Sequence, residues 1–356
     1  MFRLLSVVAV LLALNVRADS GANHQIAQGR PIQLGTSGGN LNDSSSRYCC
    51  SGTLGAVVKD SSGKLYILSN NHVLSLANLG HTGDAITQPG LVDANCRLST
   101  SDSVANLTRF VTLQFAPKQG AAPPNKVDAA IAQIITGDVN TTGAIIDIGS
   151  PSSSTVAPSV GMNVKKSGRT TGLTKGKIAS VNVTINVGYG TTCGGRASQV
   201  AQFVNQIRIT GTGGNFSAGG DSGSLIVEDV ASCPRAVGLL FAGGSTDTFG
   251  NTIGDVLSGL NVSMAGCGGA AAATLVDAFA PGSFEIAHNA HGKAQSALHK
   301  IAGVVGSGIG RHEHDASLPV IEIYVEKDSA EVRRNLPRTI DGVPVTVIET
   351  GKIMAY

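Results

Sequence analysis

Residues 70–73 read NNHV and residues 220–224 read GDSGS. Each stretch sets one side chain with nucleophile chemistry, His72 or Ser222, among small or polar neighbours, 150 residues apart along the chain. A serine hydroxyl attacks poorly at neutral pH unless a base takes its proton, and a histidine base works best when a carboxylate holds its tautomer and stabilises the imidazolium. Three residues must therefore converge. Ser222 is flanked by Gly220 and Gly223, which permit a tight backbone aiming the Gly220 and Ser222 N–H groups at a developing oxyanion. His72 follows the strand-like run KLYILSN, a rigid support for its ring. Asp128 opens the apolar run of VDAAIAQI, where an acid needs a partner, and His72 is the natural one. Asp84 and Asp93 compete for that role, but both sit in turn contexts that Asx capping explains.

From Thr53 to Val262 short apolar runs alternate with Gly, Ser, Asn and Pro punctuation, an all-β pattern. TLGAVV and KLYILSN flank KDSSG as a hairpin, and FVTLQF, DAAIAQI, GKIASVNVTINV, NQIRIT, SLIVED and AVGLLFA supply further strands. With 46 glycines and few helical periods, a barrel or sandwich is favoured over a doubly wound sheet. The character changes after GCGGAAAA at residues 266–273, a boundary or linker. Beyond it Ala287, Ala290, His291, Ala294, Leu298 and Ile301 share one helical face, with Ser283 as N-cap. VVGSGIG, LPVIEIYVE and GVPVTVIE read as strands, and DSAEVRRNL as a short helix with Asp328 and Glu331 as a capping box.

The order His72, Asp128, Ser222, carried by SNNHVL, VDAAIA and GDSGS, resembles the chymotrypsin-fold (trypsin-like) serine peptidases. More narrowly, PIQLGTSGGN, GTLGAVV, LYILSNNHVL, GRTTGLTKGKI and GDSGSLIV look like a branch found in bacteria, fungi and plants, over roughly Pro31 to Val262 plus a tail associated with that branch. The resemblance implies a mainly β fold, a chymotrypsin-like double β-barrel over residues 19–268, followed by a small α+β C-terminal module over 274–356. It implies Ser222 as nucleophile, His72 as general base and acid, Asp128 as orienting carboxylate, and Gly220 and Ser222 as oxyanion donors. Phe216 would floor the primary pocket, with Phe241, Ala242 and Gly243 as its wall and as an edge for substrate. No acid waits there for Lys or Arg, so a small or apolar residue before the scissile bond is expected. Two features depart from the animal enzymes: Val73 and Leu74, not cysteine, follow His72, and cutting after Arg30 would expose Pro31, so activation by a new amine pairing with Asp221 is not expected.

The chain opens with Arg3, an apolar run from Leu4 to Leu14 and small residues around Ala18, the pattern of a secretory signal peptide over residues 1–18. Removing Arg3 and Arg17 leaves 24 basic against 24 acidic residues, which argues against nucleic-acid binding. No later run is long enough to span a bilayer, so a secreted or periplasmic protein without membrane contact after cleavage is expected. Six cysteines in an exported chain read as disulfide partners, with neighbouring Cys49 and Cys50 joining different ones. No zinc-type spacing is present, His288, His291 and His299 read as packing or surface, and SGRTTGLTKGK and GSGIG lack phosphate-loop and dinucleotide spacing. Neither metal nor cofactor is expected. An esterase order Ser222, Asp255, His288 fails because its elbow wants a following helix where SLIVED reads as a strand. The expected activity is a secreted serine endopeptidase acting on polypeptides; the alternative is a catalytically inactive trypsin-like extracellular binding protein.

Overall fold

Alternating runs of Val, Ile and Leu pack best as strands whose alternate side chains enter a common interior. In the computed structural model, which describes residues 22–45, 48–117, 123–190, 193, 197–268 and 279–356, they build a mainly β protein with two sheets. The signal-peptide expectation and most of the 266–273 linker lie outside those residues. The first sheet has eight strands, and its interior is formed by residues such as Leu54, Val57, Ile67, Leu68, Ile86, Val104 and Ile131. Strands Ala56–Lys59 and Leu65–Ser69 form the expected hairpin, and Leu65–Ser69 pairs in turn with Ala130–Ile134.

The second sheet has eleven strands. Six of them close on themselves, because the nineteen-residue strand Gly172–Gly190 pairs with Asn163–Gly168 on one side and with Ala197–Gly211 on the other. This is the double-barrel arrangement of the chymotrypsin-like fold. The long strand also pairs with Val304–Arg311, so the tail strands Val304–Arg311, Pro319–Val325 and Val343–Glu349 extend the second sheet. Helix Ser283–Leu298 covers them with Ala287 and Ala290, packed on Ile309 and Ile321.

Three local expectations are corrected. The strand placed on FVTLQF runs instead over Ser103–Phe110; beyond it Leu113 donates its N–H to the Asn78 side chain, outside any ladder. The long helix is capped by Gly282, with Ser283 inside it, because the Ser283 hydroxyl donates to the Ala280 carbonyl. In the short helix Ala330–Arg334, Ser329 rather than Asp328 accepts from the Val332 N–H, and Asp328 pairs with Arg333 at 2.6 Å.

The three disulfides are Cys49–Cys96, Cys50–Cys193 and Cys233–Cys267, so the adjacent pair does join different partners. Among the described residues no helix is long and apolar enough to cross a membrane.

Candidate active site

The two barrels meet at Ser222. Its carbonyl accepts from the Thr53 N–H at 2.8 Å, and the Gly220 carbonyl accepts from the Thr53 hydroxyl at 3.0 Å, so the Gly-Asp-Ser-Gly turn is clamped onto the first sheet. Gly223 has φ +93°, and a Cβ there would overlap Ser69 Oγ and the Thr53 carbonyl, so only glycine fits. The Gly220 and Ser222 N–H groups have no hydrogen-bond partner among the described residues. Two adjacent unengaged amides are what an oxyanion site needs.

His72 lies in the short helix Asn71–Leu74, at the end of strand Leu65–Ser69. Its Nδ1 is 2.6 Å from Asp128 Oδ2, and its backbone N–H donates to Asp128 Oδ1 at 3.2 Å. Asp128 is fully buried. A buried carboxylate needs donors, and a third comes from the Tyr189 hydroxyl, 2.7 Å from Oδ2. Burial pulls the His72 pKa down, but the charge and hydrogen bond of Asp128, then the Tyr356 main-chain oxygen and Asp43, push it up to a net rise. Tyr189 is raised well above its ordinary value by burial and by Asp128, so it stays a neutral donor.

The rival acids are engaged elsewhere. Asp84 accepts from Asn40 Nδ2, and Asp93 is held bidentately by Arg169 at 2.7 and 2.6 Å. Asp221, beside the nucleophile candidate, is fully buried against Lys166 Nζ at 3.4 Å. It also accepts from the Thr170 and Thr171 N–H groups at 2.9 and 3.2 Å and from the Thr171 hydroxyl at 2.7 Å. An internal lysine and the GRTTG turn thus hold Asp221 without any new amino terminus, and the turn around Ser222 is formed in the intact chain.

The pocket candidates lie around the segment Met354–Tyr356. The Phe216 side chain is fully buried in the second barrel, in the cluster of Val164, Ile178, Ile209 and Ile226 against which Tyr356 packs. Phe241 is likewise buried, its ring 4.7 Å from that of Phe203, and contributes its carbonyl instead. That carbonyl accepts from the Ser222 hydroxyl at 3.2 Å and from the Tyr356 N–H at 3.3 Å. Ala242 and Gly243 pair with Ala355 and Met354. The main-chain oxygen of Tyr356 lies 3.0 Å from His72 Nε2. His72 thus meets Tyr356 directly, Ser222 shares the Phe241 carbonyl with it, and among the described residues no hydrogen bond joins His72 and Ser222.

Tyr189, Lys166, Thr171 and Tyr356 escape the sequence reading. Lys166 carries a usable signal: in NVKKSG a strand puts adjacent lysines on opposite faces, so one of them must enter the barrel and find an acid. The others carry none, being ordinary residues 61, 50 and 284 positions from their partners.

Residues 106–252 match the family model of the Nal1 C-terminal domain. No curated protein sequence matches the chain. Among solved structures it is similar to a glutamic acid specific serine protease described as using a histidine triad in substrate binding, with 20% identity, 65% of this chain and 100% of that chain covered, and a TM-score of 0.43. It is similar as well to Thermobifida fusca Protease A, with 18% identity, 66% and 99% covered and a TM-score of 0.42. For Nocardiopsis protease the figures are 17% identity, 65% and 98% covered, and 0.41.

One cluster among the described residues has the spacing of a metal site, Asp43 with Cys50 and Cys193. Its two sulfurs are joined in a disulfide and offer no thiolate. His291 is buried and hydrogen-bonded to Ser307 at 2.9 Å, and burial, with His299 and His288 nearby, lowers its pKa to about 4.

Proposed function

We propose that the protein is an exported serine endopeptidase. The observation that carries the reading is the 2.6 Å contact between His72 Nδ1 and the buried Asp128, at the mouth of a cleft where Ser222 lies beside two unengaged N–H groups. In this reading His72 Nε2 takes the Ser222 proton as Oγ attacks the substrate carbonyl carbon. The Gly220 and Ser222 amides stabilise the resulting oxyanion, and His72 returns the proton to the departing amine, leaving an acyl-enzyme. Water, deprotonated by the same imidazole, then releases the acid and regenerates Ser222. Each oxyanion donor contributes about 3 kcal/mol in sites of this kind. Export fits the three disulfides, which persist in oxidising compartments.

A second reading, an inactive binding protein on the same fold, is favoured by the contacts of the two side chains: His72 Nε2 meets the Tyr356 main-chain oxygen, and the Ser222 hydroxyl donates to the Phe241 carbonyl instead of to His72. A fluorophosphonate probe separates the two. Labelling of the folded protein that disappears in Ser222→Ala is the expected result; no labelling after prolonged incubation would favour the binder.

A further inference from the structure

The segment Met354–Tyr356 lies in the cleft as a peptide would. It adds an antiparallel strand to the edge of Ala236–Gly243, with Ala355 opposite Ala242 and Met354 opposite Gly243. The Tyr356 N–H donates to the Phe241 carbonyl, and its main-chain oxygen meets His72 Nε2. The preceding residues are thus bound along the sheet edge, as an extended peptide is in β-augmentation, with the Tyr356 oxygen at His72 and not at the Gly220 and Ser222 amides. We infer that Met354–Tyr356 is a resident, substrate-like ligand of the cleft, and that the pocket beneath it is built for a tyrosine-type side chain with Gly243 as its specificity-determining residue.

This rests on the peptidase reading for its consequence but on the contacts for its content. The Tyr356 ring packs against the cluster containing Val164, Ile207 and Leu240. It occupies the space left open at Gly243, where any Cβ would overlap the ring. An apolar slot of this kind suits an aromatic ring. It does not suit a basic side chain, because the nearby acids are taken: Asp221 by Lys166 and Asp247 by Arg208 at 2.8 Å. The expectation of a small or apolar residue is thereby narrowed to an aromatic one.

The tail supplies the anchor. Thr350 bridges the tail and the barrel, donating its N–H to the Val325 carbonyl and accepting at its own carbonyl from the Ser245 N–H, at 3.0 and 2.8 Å. Ile353 is buried, and its carbonyl accepts from the Gly188 N–H at 2.9 Å. The strands added to the second sheet thus hold residues 354–356 against the cleft. A tethered ligand binds at high effective concentration, so occupancy persists even where the free tripeptide binds weakly.

The test uses the full chain with Tyr356→Gly, which empties the pocket while keeping the anchors at Thr350 and Ile353. Fluorophosphonate labelling of Tyr356→Gly is expected to be about 10- to 100-fold faster than that of the parent; equal rates would overturn the resident ligand. The pocket is tested without catalysis. Ser222→Ala with Tyr356→Gly is titrated calorimetrically with acetyl-Met-Ala-Tyr amide and acetyl-Met-Ala-Lys amide. The tyrosine peptide is expected to bind about 100-fold tighter; equal binding, or tighter binding of the lysine peptide, would overturn the specificity. Absence of labelling in both parent and Tyr356→Gly would sink the peptidase reading, and the calorimetry would still decide whether this pocket takes the tyrosine segment.

Discussion

The two sheets solve burial differently. The first, which carries His72 and Asp128, is filled by branched aliphatic side chains such as Val57, Ile67, Val104 and Ile131. The second, which carries Ser222, has an apolar interior too but adds buried charge to it. Arg208 is paired with Asp247 at 2.8 Å and Glu322 at 3.1 Å, Tyr324 donates to Glu322 at 2.9 Å, and Lys166 is paired with Asp221, all of them buried. Burial of apolar surface is non-directional and tolerates adjustment, whereas a buried ion is stable only with its partners in place. The first sheet is thus a forgiving platform for the base and its carboxylate. The second is a specified one, in which the tail residues Glu322 and Tyr324 complete a network begun in the barrel.

The sharpest break in that comparison is chemical. Removing His72 (His72→Ala) should lower kcat by about 10⁴- to 10⁶-fold while leaving the melting temperature within a few degrees, since its side chain serves the cleft and not the aliphatic core. Steady-state kinetics on a tyrosine peptide, beside a thermal melt, checks both.

Next in size is the second sheet's network. Arg208→Met leaves Asp247 and Glu322 buried without their cation and should cost about 3–5 kcal/mol in denaturant unfolding, whereas Ile67→Val in the first sheet should cost about 1 kcal/mol. Similar losses at the two sites would abolish the distinction drawn between the sheets.

Between the sheets stands Tyr189, which reaches from the second barrel to Asp128 of the first. Tyr189→Phe removes one donor to a buried carboxylate, and kcat/KM is expected to fall roughly tenfold with KM little changed. A fall confined to KM would place Tyr189 in substrate binding instead of in holding the carboxylate.

The smallest effect concerns Asp43, half-buried in the cavity that His72 also lines. Burial pushes its carboxyl up to about 6, with His72 pulling it back. A raised folded-state pKa means that this group's stabilising contribution is present below 3.8 and lost as pH rises through about 6. Asp43→Asn should therefore gain about 1 kcal/mol at pH 7.5 and nothing at pH 3.5, in paired melts. Since Asp43 is among the groups that raise His72, the same variant should move the acid limb of the kcat/KM profile, expected above 6.5 in the parent, toward lower pH. Activity falls on that limb because protonated His72 cannot accept the Ser222 proton, and because its Nε2–H then bonds the Tyr356 oxygen.

Much of this was legible in the chain. NNHV, VDAAIA and GDSGS single out His72, Asp128 and Ser222, because each stands in a local setting that sequence displays: the end of an apolar strand, an acid opening one, a turn between glycines. The hairpin of KDSSG and the tail strands were readable from alternation for the same reason. That Phe216 and Phe241 are fully buried, Phe241 meeting Ser222 and Tyr356 through its carbonyl, is not readable from a motif, since a position along the chain does not reveal which way a ring turns when a core lies beside it.

Chain order and local pattern by themselves determined the β class and singled out His72, Asp128 and Ser222 as candidates, since periodicity and turn geometry are properties of neighbours. Only the tertiary structure decided that Tyr189 holds Asp128, that Lys166 pairs with Asp221, and that the Tyr356 oxygen meets His72. Those contacts join side chains brought together by the closing of a barrel, and the complementarity of a buried donor and its acceptor leaves no periodic trace along the sequence.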